Sequence, residues 1–317
     1  MIWKKIGKIF DPTEHSLPMG CSAYAQSPQT LVFADFVRIY FSTRSIDDEG
    51  KFISQIAFVD IDKTFRKVIR ISDKPVLELG ERGTFDEHGI FPLHIFREAE
   101  NIFGYICGLS RRRSVTVESS IGLSESKDNG LTFSRVAKGP VMTSSLNEPF
   151  LVCDPFVKKI NHTYHMWYIY GLKWICESSE KNPDRVYKIA HAVSQDQINW
   201  VKEGRTIIPD SIDENECQAL PTVIKIGNRY HMIFCFRHVF GFRNDPDKGY
   251  RLGHAWSDDL VNWNRNDDEF GMNVSPGAWD SEMQCYPHLF EMDGKIYLLY
   301  NGNEFGKFGF GLAVLEQ

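Results

Sequence analysis

Three glutamates in this chain, Glu87, Glu216 and Glu282, each stand five residues ahead of a proline, Pro92, Pro221 and Pro287 respectively. Asp154 directly precedes a fourth proline, Pro155, and Asp86 adjoins Glu87. Carboxyls that converge from distant parts of a chain repel one another, so that some keep a proton that others lose. One protonated and one ionised carboxyl is what acid/base work at a glycosidic bond asks for. The same acids would also serve as strand caps, as ligands of a channel ion or as solvated groups, and residue types alone leave those readings open. Arg44 follows Tyr40-Phe-Ser-Thr43, and Arg237 follows Ile233-Phe-Cys-Phe236. A guanidinium presents a planar fork to carboxylate or phosphate. That suits an acidic sugar, a nucleotide-sugar phosphate or inorganic phosphate; a buried ion pair with the acids is the alternative. Asn303, in Tyr300-Asn-Gly-Asn303, holds the matching place near the C-terminus. His88 and His288 flank the proline-bearing segments and can reach a substrate, and Trp279 and Trp174 offer ring faces to a sugar. His191 and His254 occupy equivalent places and read as core packing. No HExxH, P-loop, GxGxxG or GxSxG motif stands in a supporting context, and no metal-ligand set is spelled out.

What would bring such residues together is a repeat. Pro28, Pro92, Pro155, Pro221 and Pro287 recur at steps of 64, 63, 66 and 66 residues. Behind three of them comes a hairpin turn and a second strand, at Tyr164–Tyr168, Tyr230–Phe234 and Tyr297–Tyr300,. Third strands follow, such as Ala190–Ser194 and Gly253–Ser257. They run into turns of the form Ser-x-Asp-x-x-x-aromatic, at Ser194 to Trp200 and Ser257 to Trp263, with a variant one residue longer at Ser126 to Phe133. An Asp there bonds the following backbone amides, so its role reads as structural. Four strands per repeat, five times over, predict an all-β, five-bladed β-propeller occupying residues 1–317 as one domain. Too few residues follow Pro287 for four strands. The alternating segment Ile2–Phe10 then supplies the missing strand of the last blade and leaves no free edge. In a propeller the first strand of each blade lines the central channel, so the segments ahead of the prolines meet at one mouth of it.

Composition narrows the function classes. The formal net charge of −6 does not suit a nucleic-acid partner,. Arg111-Arg112-Arg113 is the one basic run and reads as a solvated loop. No apolar stretch is long enough for membrane insertion, and the N-terminus does not read as a signal peptide. Seven widely spaced cysteines with no CxxC pair suggest buried free thiols in a reducing compartment, which predicts a cytoplasmic location,.

Several of these segments carry a resemblance. Asp154-Pro155-Phe-Val, Asn215-Glu216-Cys217, the Ser-x-Asp-x-x-x-Trp turns and the Tyr-x-Met-x-Tyr strand resemble the five-bladed glycosidase superfamily of glycoside hydrolase families 43, 32 and 68 and the family 130 phosphorylases. Cys285-Tyr-Pro-His-Leu-Phe290 and the segment Tyr300–Leu315 resemble glycosidase-like proteins of bacterial surface-polysaccharide biosynthesis. The resemblance implies a carbohydrate or nucleotide-sugar substrate, no required cofactor, an Asp base or nucleophile, an Asp-Pro aspartate that tunes, and a Glu general acid. Asp154 matches the Asp-Pro position. Glu216 matches the acid, with Gln218-Ala219-Leu220 lengthening the usual gap to the proline. The first-blade aspartate has no counterpart in Ser22–Ser27, so Asp86, Glu87 or Glu282 would take its place. The departure keeps a non-catalytic glycan- or nucleotide-sugar-binding propeller and a protein-interaction propeller in view beside an enzyme that cleaves or transfers at a glycosidic bond as hydrolase, phosphorylase or glycosyltransferase, and a channel calcium stays open without being indicated.

Overall fold

The computed structural model describes residues 1–178 and 182–316. Twenty strands form five four-stranded antiparallel sheets. Blade one holds β2 (Gln26–Val32), β3 (Phe36–Ile46), β4 (Phe52–Asp62) and β5 (Val68–Ile71). Blade two holds β6 (Ile90–Glu98), β7 (Asn101–Arg111), β8 (Val117–Ser126) and β9 (Ser134–Arg135). Blade three holds β10 (Val152–Ile160), β11 (Thr163–Ile175), β12 (Asp184–Ser194) and β13 (Trp200–Lys202). Blade four holds β14 (Cys217–Ile226), β15 (Arg229–Arg237), β16 (Arg251–Ser257) and β17 (Asn264–Arg265). Blade five takes β18 (Cys285–Met292), β19 (Lys295–Asn301) and β20 (Phe310–Glu316) from the C-terminal end and β1 (Ile2–Phe10) from the start of the chain. The β1–β20 pairing, with Ile2 opposite Glu316 and Phe10 opposite Phe310, is the expected closure. The inner strands β2, β6, β10, β14 and β18 each touch the next around the ring, and β18 touches β2. They are buried along most of their length, whereas outer β1 alternates buried and open residues.

The repeat prolines have a backbone cause. In every inner strand the ladder skips a register at the residue-proline pair, as between Cys153 and Phe156 or Ala219 and Thr222. A proline has no N–H to give, so it fits an unpaired bulge position. The preceding residue is left-handed in four blades, at Ser27 (φ 53°), Asp154 (φ 54°), Leu220 (φ 48°) and Tyr286 (φ 56°), and the fifth pair, Phe91–Pro92, is cis. The bulge re-aims the side chain before the proline, and this is what positions Asp154.

The other repeated features are structural, as read. Asn161 and His162 both have positive φ, as do Asp293 and Gly294, which is the twist a two-residue hairpin turn requires,. Asp196 accepts the Ile198 and Asn199 N–H groups at 3.0 and 2.7 Å, and Asp259 accepts those of Val261 and Asn262 at 2.9 and 2.8 Å. His191 lies against Trp167 and shares a 3.0 Å hydrogen bond with His165; His254 repeats the bond with His231.

One expectation fails. Cys107 on β7 and Cys153 on β10 form a disulfide across the boundary between blades two and three, so the cysteines are not all free thiols. The second strand of blade two packs on the inner strand of blade three, which brings residues 46 apart in sequence within 5.3 Å between Cα atoms and which spacing along the chain does not reveal. Cys21, Cys217, Cys235 and Cys285 are free and buried, and Cys176 is free and exposed. Among the described residues no helix is long and apolar enough to cross a membrane.

Candidate functional site

A cavity of about 470 Å³ opens where the inner strands begin and the second strands end. Its wall carries four arginines, Arg44, Arg185, Arg237 and Arg243, and one carboxyl, Asp154. The aromatic rings of Phe52, Phe91, Tyr187, Tyr250 and Tyr286 line it further. Phe91, Asp154 and Tyr286 are all residues that a proline bulge turns into the cavity.

Asp154 is 4% exposed and accepts one backbone hydrogen bond, from Leu220 N–H to Oδ2 at 3.1 Å. Burial pushes its carboxyl up to about 7, against the opposing pull of the Leu220 N–H and the Arg185 charge. A carboxylic acid poised there holds a proton near neutrality and can give it up. Arg237 lies 3.5 Å over the Phe242 ring. It donates to the carbonyls of His238 and Val239 and to Tyr187 Oη, at 2.7, 3.2 and 2.9 Å. Arg44 lies 4.8 Å over Tyr24 and 5.4 Å from the Phe52 ring, and its Nε is buried without a partner. Burial and the nearby Arg243 charge lower its pKa, so its charge is held at some cost. Among the described residues none of the four arginines forms an ion pair with a carboxylate. The ion-pair alternative for Arg44 and Arg237 therefore does not hold.

The cavity brings together Asp154, Arg44 and Arg237 from the residues singled out in the sequence. The others lie elsewhere. Glu216 is fully buried but faces away: Arg265 Nη1 is 2.5 Å from Oε1, and the Ser211 and Ile212 N–H groups donate to Oε2 at 2.9 and 3.0 Å. These bonds hold its carboxyl below the usual range despite burial, which opposes a role as proton donor. Asp86, also fully buried, accepts from Arg135 Nε at 2.6 Å. The two belong to a repeated tie between the loop leading into an inner strand and the outermost strand of the same blade. Glu148–Lys202 at 2.6 Å and Asp280–Lys5 at 2.6 Å complete it, so four blades carry one each. A sequence signal for it exists. The basic partner always stands two residues after an aromatic, in Trp3-Lys-Lys5, Phe133-Ser-Arg135, Trp200-Val-Lys202 and Trp263-Asn-Arg265.

Glu87 is half-buried on a loop, accepting from Gly83 N–H at 2.8 Å and lying 3.3 Å from His88 Nδ1. Glu282 is exposed. Its N–H donates to Asn303 Oδ1 at 2.8 Å, while Asn303 Nδ2 donates to Ser281, so Asn303 fastens a loop. His288 is buried in the inner wall, its Nε2 accepting from Thr30 N–H at 3.1 Å, and burial lowers its pKa to about 3. Trp279 packs on Tyr300 at 5.1 Å, and Trp174 packs on the main core. Sequence reasoning missed Arg185 and Arg243, along with the cavity tyrosines Tyr187, Tyr250 and Tyr286. Arg185 begins a third strand, and Arg243 lies in a loop without repeat equivalents, so neither falls at a marked position. Among the described residues no three His, Cys, Asp or Glu side chains gather as a metal ion would require.

The chain is 33% identical, over 318 aligned positions and the whole of both chains, to the uncharacterized protein Rv1502 of Mycobacterium tuberculosis. The chain belongs to that family. A shorter stretch of 105 residues, 32% of this chain and 33% of the relative, is 31% identical to a beta-1,2-mannobiose phosphorylase of a Thermoanaerobacter species. No family model matches the chain. Among solved structures, a glycoside hydrolase aligns with TM-score 0.73 at 15% identity, covering 99% of this chain and 92% of its own. A member of the GH130 family of mannoside phosphorylases and hydrolases aligns with TM-score 0.67 at 12% identity, covering 99% and 93%. A thermostable family-43 glycoside hydrolase aligns at 0.60 and 13%, covering 94% and 91%. The family therefore has the five-bladed fold of the propeller glycoside hydrolases.

Proposed function

We propose that the protein is a carbohydrate-active enzyme that breaks a glycosidic bond by phosphorolysis, with Asp154 as proton donor and cavity arginines holding the phosphate. The observation that carries this is the ratio of groups in the wall, one carboxyl to four arginines that have no acid partner among the described residues. Hydrolysis by the usual route needs two working carboxyls, ~5–5.5 Å apart for retention or ~6.5–9.5 Å for inversion. Asp154 has no such companion in the lining. In phosphorolysis a phosphate oxygen attacks the anomeric carbon and the bond to the leaving oxygen breaks. That oxygen takes the Asp154 proton, and the products are a sugar 1-phosphate and the shortened glycan. A carboxyl near 7 suits the donor,, and guanidiniums suit a phosphate nucleophile. The partial likeness to a mannobiose phosphorylase points the same way and makes β-mannosides the first substrates to try. A place in bacterial surface-polysaccharide metabolism, inside the cell, belongs to the same proposal, although the disulfide removes the cysteine argument for that location.

Calorimetric titration of inorganic phosphate tests the site. We expect saturable binding to the wild type, and at least about tenfold weaker binding to Arg44→Gln, in keeping with the loss of a charge-assisted contact. A glycan-binding or nucleotide-sugar-binding propeller without chemistry gains ground if phosphate does not bind and intact glycans or nucleotide sugars bind without turnover.

A further inference from the structure

The phosphate reading accounts for one anion, and the cavity has charge placed for two. Arg44 belongs to β3 in blade one, and Arg185 belongs to β12 in blade three. The inner strands of those blades do not adjoin, because β6 of blade two lies between them, and Phe91 from that blade also lines the cavity. Each arginine has its own surroundings. Arg44 lies against Tyr24 and Phe52, with Arg243 as the neighbouring charge. Arg185 lines the same cavity as Asp154, close enough for its charge to pull on that carboxyl, and lies 6.0 Å from the Tyr187 ring. Arg237, by contrast, has several of its donors engaged by two backbone carbonyls and Tyr187. Arg237 is buried, Arg44 and Arg185 are half-buried and Arg243 is exposed, so an anion entering the cavity can reach them, and a single bound phosphate between blades one and four leaves Arg185 without an anion of its own.

The geometry of displacement divides the two. The nucleophile attacks the face of the anomeric carbon opposite the leaving oxygen, so phosphate is assigned to Arg44 and Arg243, which come from other blades than Asp154. Whatever Arg185 binds then lies on the leaving-group side, next to the proton donor. We infer that the substrate itself is anionic, a glycoside whose leaving sugar carries a carboxylate or phosphate ester received by Arg185. This rests on the phosphorolysis reading for the roles of the two poles. It goes beyond that reading in naming an acidic glycan as the substrate class, whereas phosphorolysis alone would serve a neutral one.

The test is calorimetry with the full chain at saturating inorganic phosphate, using mannose, mannose 6-phosphate and glucuronate as probes. The expected result is that at least one charged sugar binds at least about tenfold more tightly than mannose, the increment of one hydrogen bond to a charged group. Whichever of the two gains identifies the anion as phosphate ester or carboxylate. Arg185→Gln is expected to erase the preference while phosphate binding in the same variant stays unchanged, which also shows that the cavity is intact. Charged sugars that bind no better than mannose overturn the inference. So does competition between charged sugar and phosphate for a single site, and that result leaves the phosphorolysis reading standing. Charged sugar bound by a wild type that takes no inorganic phosphate tells against phosphorolysis instead.

Discussion

Asp154→Asn is expected to stop turnover and, at the same time, to make the protein more stable at pH 8. The first effect follows from removing the proposed proton donor, worth ~100- to 10,000-fold in rate for a general acid. The second follows from linkage. Burial lifts the Asp154 carboxyl from 3.8 to about 7 in the folded chain, so the folded state binds this proton more tightly than the unfolded state does. The group's favourable contribution is complete below about pH 4 and is lost as pH rises through 7, which leaves an unfavourable buried charge at pH 8 of up to about 4 kcal/mol. Asparagine carries no charge to bury. Its carbonyl oxygen can still accept the Leu220 N–H, and asparagine tolerates the left-handed backbone that Asp154 adopts,. Thermal melts at pH 4 and pH 8 check this: the variant gains over the wild type at pH 8 and matches it at pH 4. A variant less stable at pH 8 contradicts the assignment of a raised carboxyl to this position. The activity of the wild type is expected to fall as pH rises above 7, because the donor loses its proton.

Glu216→Gln is expected to do the reverse, to destabilise the fold while leaving the chemistry. Arg265 is 5% exposed and meets Glu216 in a fully buried pair. Neutralising Glu216 removes one of two carboxylates that Arg265 holds, leaving Asp267 at 2.9 Å, so the expected cost is that of a hydrogen bond to a charged group, about 1.5–3 kcal/mol. Turnover per folded molecule at 25 °C should change by less than about threefold, well below the ~100-fold or greater loss of removing a general acid. Denaturant unfolding and initial rates on the same sample separate the two quantities. A large loss of rate with unchanged stability would return Glu216 to the role of acid.

These two residues show how far the sequence can be read. The repeat prolines disclose the propeller because each answers a backbone need, an unpaired bulge where no N–H is wanted. The Ser-x-Asp turns disclose strand ends because their hydrogen bonds are local. Asp154 was legible for the same reason, since its own proline aims it. The surroundings of Glu216 are not legible in the same way, because its partner is 49 residues away on the outermost strand. The same separation joins Asp86 to Arg135. An acid ahead of an inner strand looks alike whether it enters the cavity or turns outward to a basic residue, and only the aromatic-x-basic pattern on the outer strand tells them apart. Arg185 and the disulfide were illegible because both depend on the meeting of blades two, three and four around the ring.

The central claim is that phosphate replaces the missing second carboxylate, and the product of turnover tests it most directly. A β-1,2-linked mannobiose and, in parallel, its counterpart with a charged leaving sugar are incubated with the protein, with and without inorganic phosphate, and followed by phosphorus NMR and a reducing-sugar assay. Bond cleavage is expected to require phosphate and to yield one sugar 1-phosphate for each bond broken. Cleavage at an equal rate in phosphate-free buffer, with no phosphate ester formed, would contradict it.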